Sequence, residues 1–139
     1  MKRLFVALFL VSCGHFHNQP IVTKKAEHYI SPDKKIDTEI LVQPSNKHDP
    51  KSSMVRIKLK PGTKIPKHVH QYSDEYLYFE NGGGTLVINN EKHKVEAGQA
   101  FYIPIGMKHS YENDSDQESS AIQFYTPSGP EQRFKLWQE

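Results

Sequence analysis

Two short motifs lying between Gly62 and Asn113 limit what this chain can fold into more than any other feature. The first runs Gly62-TKIPK-His68-V-His70-QYSD-Glu75-YLYFEN-Gly82, and the second runs Gly98-QAFYI-Pro104-I-Gly106-MK-His109-SYE-Asn113. Both stretches otherwise read as β-strands, yet three histidines and a glutamate stand at punctuated points within them. Neutral imidazole and carboxylate suit a divalent transition metal, so His68, His70, Glu75 and His109 are read as one metal site. His68 and His70 are two positions apart, so on an extended strand both project from the same face. Glu75 lies five residues beyond His70, the wrong parity for one straight strand. Residues 71–74 must therefore turn, and Glu75 opens the next strand facing inward. His109 comes from a distant strand, placed by the rigid Pro104 and the permissive Gly106. Residues gathered from separate strands onto one interior face imply a closed or nearly closed barrel.

The two motifs resemble, at every defining position, the pair that marks the cupin superfamily: G-x5-HxH-x4-E-x6-G followed by G-x5-PxG-x2-H-x3-N. The 15 residues between Gly82 and Gly98 are as short a connection as cupins usually have, and the resemblance covers about 52 of 139 residues. It implies a small single-domain bacterial cupin: an all-β fold, one β-barrel with a jelly-roll core, here with an added N-terminal strand. It also implies that His68, His70, Glu75 and His109 are the metal ligands.

Four protein ligands on a metal that prefers six leave about two positions for water, substrate or dioxygen. That favours Fe(II), Mn(II), Ni(II) or Co(II) over a closed structural zinc, which four ligands satisfy. A metal that only stapled the barrel would need no open positions. Two readings of function follow. One is a metal-dependent enzyme acting on a small oxygenated molecule, resembling the quercetin-dioxygenase-like oxygenases or the small cupins of sugar-acid metabolism. In it Glu75 also acts catalytically, moving off the metal or taking up a proton, as the resemblance suggests. The other is a non-catalytic envelope protein that binds, senses or stores a metal-chelated small ligand. Turnover of a candidate substrate separates the two.

Met1 to Cys13 reads as a secretion signal: Lys2 and Arg3, the apolar run Leu4 to Val11, then Ser12-Cys13. The run is too short to span a bilayer as a helix. Leu10-Val11-Ser12-Cys13 resembles the lipobox of bacterial lipoproteins, which implies lipidation of Cys13. Gly14 after it is not the aspartate associated with inner-membrane retention. The expected division is a signal peptide over 1–12, a lipid-anchored polar tether over 13–31 and a barrel domain over 32–139. The expected location is the periplasmic side of the outer membrane. Of the 18 basic residues, Lys2 and Arg3 leave with the signal, and the mature chain is balanced at 16 basic against 16 acidic. No basic face for nucleic acid is implied. Cys13 is the one cysteine, which excludes an intrachain disulfide and a thiolate ligand in the folded domain. The expected partners are a small-molecule ligand or substrate, a membrane through the lipid anchor alone, and a second copy of the chain in a homodimer.

Elsewhere the chain is a succession of short strands with no convincing helix. Ile36 to Val42 is an N-terminal strand, which in a homodimer is the segment to be exchanged. Pro44 to Ser53 is a loop. Val55, Ile57 and Leu59 alternate with Arg56, Lys58 and Lys60, and Glu75, Leu77 and Phe79 with Tyr76, Tyr78 and Glu80. Asn81 to Gly84 is a glycine-rich hairpin with Thr85 to Ile88 returning, and it lacks the helix and lysine of a phosphate-binding loop. Strands follow at Lys92 to Val95, Gln99 to Ile103, His109 to Glu112 and Ser120 to Tyr125. Phe134, Leu136 and Trp137 of the tail cover a barrel face or a dimer partner. His15, His17, His28, His48 and His93 are read as solvated or surface groups; a weak accessory metal site at His15 and His17 is the lesser alternative, since no carboxylate or strand pattern lies nearby. Parity cannot choose which of Tyr72, Tyr76, Tyr78, Tyr102, Tyr111 and Tyr125 face a pocket.

Overall fold

Alternation of apolar and polar residues runs through most of the chain, and a backbone following that period buries every second side chain against one interior. The computed structural model describes residues 22–44 and 51–137. Its strands in chain order are β1 (Glu27–Ile30), β2 (Ile36–Val42), β3 (Ser53–Leu59), β4 (Lys64–His68) and β5 (Asp74–Asn81). They continue with β6 (Gly83–Ile88), β7 (Glu91–Glu96), β8 (Ala100–Ile103), β9 (His109–Glu112) and β10 (Ser119–Thr126). One sheet has the order β1-β2-β3-β10-β5-β8 and the other β4-β9-β6-β7, with antiparallel pairing throughout. The two face each other as a jelly-roll barrel, the all-β architecture expected.

The core lies between the sheets. Val55, Ile57 and Leu59 from β3, Leu77 and Phe79 from β5, Leu86 from β6, Val95 from β7 and Ala121 and Tyr125 from β10 are all buried there. Each such large aliphatic or aromatic side chain contributes about 1.5–3 kcal/mol by leaving water. The alternation in β5 falls as expected: Glu75, Leu77 and Phe79 point in, while Tyr76 and Tyr78 are exposed on the outside.

Three features differ from the sequence expectation. Glu27–Ile30, assigned to the tether, is β1: it pairs with β2 and buries Tyr29, so the sheet begins before residue 32. The Asn81 to Gly84 turn is not a hairpin. β5 and β6 belong to different sheets, and the glycines carry the chain from one to the other. A Cβ on Gly82, whose φ is +72°, would lie 2.5 Å from the Glu118 carbonyl oxygen and 2.6 Å from the Ser119 Cα. Only glycine passes so close to another backbone. Finally, Pro130–Leu136 forms a 3-10 turn in a tail where no helix was expected. Its Phe134 is buried in the core and Trp137 packs beside it, whereas Leu136 is exposed. β2 is taken up within its own chain, between β1 and β3.

The ends of the two motifs close on each other. Gly62 N donates to Asn113 O at 2.8 Å, and Asn113 N donates to Thr63 O at 2.9 Å. The buried Asn113 amide donates to Leu59 O and Gln117 O, both at 2.8 Å. An asparagine amide here satisfies carbonyls that would otherwise be orphaned where β3 and β9 end. This knot closes one end of the antiparallel pair of β4 and β9, and past a register shift between Ile65 and His68 the pairing sets His68 directly opposite His109.

Candidate metal centre

Each of the four expected ligands is delivered by a different local device. His68 ends β4, and His109 begins β9 across from it. Glu75 is the second residue of β5, opposite Tyr125 of β10 and Ile103 of β8. His70 lies beyond the end of β4, so its position depends on a contact. The turn Pro104–Met107, closed by Met107 N to Pro104 O at 3.1 Å, presents Gly106 N to the His70 carbonyl at 2.9 Å. Gly106 has φ +75°, a conformation in which L side chains are strained. Asp74 ties the same turn to β5, accepting from Ile105 N at 3.0 Å and from the Tyr102 hydroxyl at 3.1 Å. The second motif thus supplies His109 and also braces His70 of the first.

The four side chains converge: one ligand atom from each of His68, His70, Glu75 and His109 lies within 4.8 Å of the others. His70, Glu75 and His109 are buried. The rings of His68 and His109 are centred 4.1 Å apart, and those of His68 and His70 5.0 Å apart. His68 Nδ1 faces the Pro66 carbonyl at 2.8 Å, and His109 Nδ1 faces the Met107 carbonyl at 2.9 Å. A carbonyl only accepts, so in the neutral ring the proton sits on Nδ1 and the lone pair on Nε2. A metal-ligating histidine needs this arrangement, its second nitrogen held by a fixed acceptor.

The donor set fits a divalent cation on its own geometry. His70 Nε2 and His109 Nε2 approach the same carboxylate oxygen, Glu75 Oε2, at 3.1 and 3.0 Å. The His109 contact is close but not aligned as a hydrogen bond, and His109 Nε2 is a buried polar atom without a hydrogen-bond partner. A lone pair held that near a carboxylate oxygen is unfavourable unless positive charge lies between or beside them. Burial pushes the His68 imidazole down to about 4, keeping it a neutral ligand near pH 7. Burial alone would raise the Glu75 carboxyl, but when His109 and His70 turn N–H groups toward it in the metal-free cluster they outweigh burial and hold it below the usual carboxylate range.

Around this cluster is a cavity of about 330 Å³. Its walls are mostly apolar, from Ile57, Leu59, Leu77, Phe79, Leu86, Phe134 and Trp137 among others, while His68, Glu75, His109, Gln123 and Arg133 interrupt them with polar groups. Two polar groups of the cavity wall, Gln123 and Arg133, were not singled out in the sequence, and Tyr125 was left open there. Gln123 Nε2 donates to Glu75 Oε1 at 3.0 Å. Tyr125 is fully buried with its ring 5.3 Å from that of His70, and its hydroxyl accepts from Arg133 at 3.1 Å. Burial pushes that hydroxyl well above its ordinary range, and the charge of Glu75 pushes it the same way. A signal for Gln123 was present: it occupies an inward position of β10 between Ala121 and Tyr125, where a polar residue needs a buried partner. Arg133 had none, because its place depends on the 3-10 turn.

Of the tyrosines left open, Tyr72, Tyr76, Tyr78 and Tyr102 are exposed, and Tyr111 and Tyr125 are buried. Tyr111 lines the cavity, and its hydroxyl is occupied by Gly83 O and Ser119 Oγ. His28 pairs with Asp37 at 2.8 Å on the surface, and His93 stands beside Phe101 on β7, so neither joins the cluster. Met1 to Val11, Cys13, His15, His17 and His48 lie outside the described residues.

Comparison with known proteins follows the same lines. The family model Cupin_2, described as a cupin domain, matches residues 55–125. The polyketide synthase CurC of Streptomyces cyaneus is 32% identical over 72 residues, 52% of this chain and 47% of that protein. The chain thus spans about half the length of that relative. KdgF from Halomonas sp. superposes with a TM-score of 0.67 at 18% identity, covering 80% of this chain and 99% of the other, a likeness of fold. An oxalate oxidase solved with the substrate analogue glycolate superposes with a TM-score of 0.53 at 26% identity, covering 58% of this chain and 44% of the other.

Proposed function

The chain belongs to the Cupin_2 family of cupin domains, and from that premise we propose that it is a divalent-metal-dependent enzyme acting on a small oxygenated molecule, dioxygenase-like or isomerase-like in its chemistry. The observation that carries this reading is the convergence of His68, His70, Glu75 and His109, ligand atoms within 4.8 Å of one another, at the wall of a cavity large enough for a small ligand. The oxalate oxidase with its bound glycolate is a relative in fold whose ligand is a small oxygenated acid, which supports the substrate class proposed here.

The four residues would hold Fe(II), Mn(II), Ni(II) or Co(II), and such an ion, when bound, polarises ligand oxygens as a Lewis acid. The chain's own residues do the rest. Pro66 and Met107 carbonyls orient His68 and His109. Gln123 holds one Glu75 oxygen while the other faces the histidines. The apolar walls lower the local polarity and strengthen electrostatic interactions within. Glu75 is the carboxylate available as a proton acceptor; held as a metal ligand it would be a weak base, taking up a proton only on moving off the metal.

The deciding experiment is elemental analysis of protein lacking residues 1–13, beside a His68→Ala, His109→Ala double mutant. Near-stoichiometric iron, manganese, nickel or cobalt in the parent and none in the mutant is the expected result. Equal metal in both would falsify the ligand assignment, and oxygen uptake or substrate conversion by the loaded protein then separates an enzyme from a binder.

We also propose that the chain is exported and lipidated at Cys13, anchoring it to the cell envelope. The motif Leu10-Val11-Ser12-Cys13 behind an apolar run supports this. Cys13→Ser should move the protein from the membrane fraction to the soluble fraction. Continued sedimentation of that variant with membranes would sink the idea.

A further inference from the structure

We propose that Arg133 forms an anion-binding subsite in the cavity wall, selecting ligands that carry a carboxylate on an apolar body. The inference rests on the cavity being the ligand site of the function proposed above. Arg133 lines the same cavity as His68, Glu75 and His109. Arg56, the other described arginine, pairs with Glu39 and Glu80, and Lys64, the other cation lining the cavity, pairs with Glu112. Arg133 has no such partner among the described residues.

Its guanidinium is nevertheless held in place. One terminal nitrogen donates to the Tyr125 hydroxyl at 3.1 Å, and the guanidinium carbon lies 4.6 Å from the centre of the Phe134 ring. Guanidinium carries five N–H donors in a fixed plane, and the bond to Tyr125 uses one of them. The others form a fork suited to the two oxygens of a carboxylate. A positive charge facing an apolar cavity is costly without a counter-ion, and a ligand carboxylate supplies one. The surrounding Ile57, Leu59, Leu77 and Phe79 then require the rest of the ligand to be apolar. Phe134 and Tyr125 hold the arginine before the ligand arrives, so little side-chain entropy is lost on binding.

The test compares matched acids and amides by isothermal titration calorimetry: benzoate against benzamide, and hexanoate against hexanamide. Each pair is titrated into the full domain, both metal-loaded and chelator-stripped, with metal content measured on the same samples. Wild type should prefer the acid by about 10–100-fold, the range of a charge-assisted hydrogen bond. Arg133→Met keeps the stem and removes the charge, and should abolish the preference. Arg133→Lys should retain part of it. If Arg133→Met does not fold, Arg133→Gln, which keeps a donor for Tyr125, reads the same comparison. Equal affinity for acid and amide in wild type, no binding of either acid at millimolar concentration, or a preference that survives loss of the charge each overturns the subsite. A preference seen with metal alone and unaffected by Arg133→Met places the carboxylate on the metal, which also overturns it. A wild type that takes up no metal on loading yet still shows the arginine-dependent preference overturns the metal reading and leaves the subsite standing.

Discussion

At His109, Nε2 lies 3.0 Å from a Glu75 oxygen with no hydrogen bond between them, while Nδ1 is committed to a backbone carbonyl. A single side chain thus carries both marks of a ligand: a fixed tautomer and a buried, unspent lone pair. His68 carries a related consequence for pH. Its folded pKa, about 4, lies below the ordinary 6.5 because burial penalises the imidazolium. Its contribution to stability is therefore fully present above pH 6.5 and is lost as pH falls toward 4, since the unfolded chain takes up a proton that the buried ring refuses. Glu75 is also depressed and adds a loss of the same sign below its ordinary 4.5. Urea midpoints of the chelator-treated protein should fall between pH 7 and pH 4, with a shallower slope in His68→Gln. Midpoints that hold steady or rise on acidification would contradict the buried neutral imidazole. The histidines were legible in the sequence because their spacing in two motifs is unusual. Gln123 and Arg133 carried no such spacing, and their importance comes from what faces them.

Among the elements, the segment Gly82–Gly84 does the least expected work. Glycines after a strand commonly mark a hairpin, and that is how the sequence reads. The structure uses them to leave one sheet and enter the other beneath the Glu118–Ser119 backbone. Gly82→Ala should destabilise the domain by about 2–5 kcal/mol, adding left-handed strain to a clash with backbone that cannot swing aside. Thermal unfolding reads this directly, and an unchanged midpoint would show that the crossover is looser than described. The strands themselves were easier to foresee. β2 and β9 have the expected bounds because apolar alternation and flanking turn residues specify strands locally. β1 was missed since its four residues Glu27–Ile30 alternate weakly, and it is a strand because β2 offers it an edge. The 3-10 turn forms likewise in context: buried Glu131 accepts from Ser53 Oγ at 2.6 Å and Gly129 N at 2.7 Å, fastening the tail to β3.

For the molecule as a whole, the site lies between the sheets: His68 and His109 come from the four-stranded sheet and Glu75 from the six-stranded one. A metal joining them therefore ties the two halves of the barrel, and by linkage it stabilises the fold by about 2.7 kcal/mol at a hundredfold excess over Kd. That corresponds to a rise in Tm on the order of 10 °C for a domain of this size, measurable by scanning fluorimetry with and without chelator. The His68→Ala, His109→Ala protein should not respond, and a wild-type Tm indifferent to metal would argue against a cross-sheet site. The sequence by itself determined the all-β character, the inward parity of Glu75, Leu77 and Phe79, and the candidate ligands, because each depends on local spacing and side-chain chemistry. Tertiary structure alone decided that His68 and His109 stand opposite in register, that the glycines cross between sheets, and that Gln123, Tyr125 and Arg133 surround Glu75 and the cavity. These depend on pairing between residues far apart in the chain, and a strand's local pattern says which side chains point inward but not which strand will lie beside it.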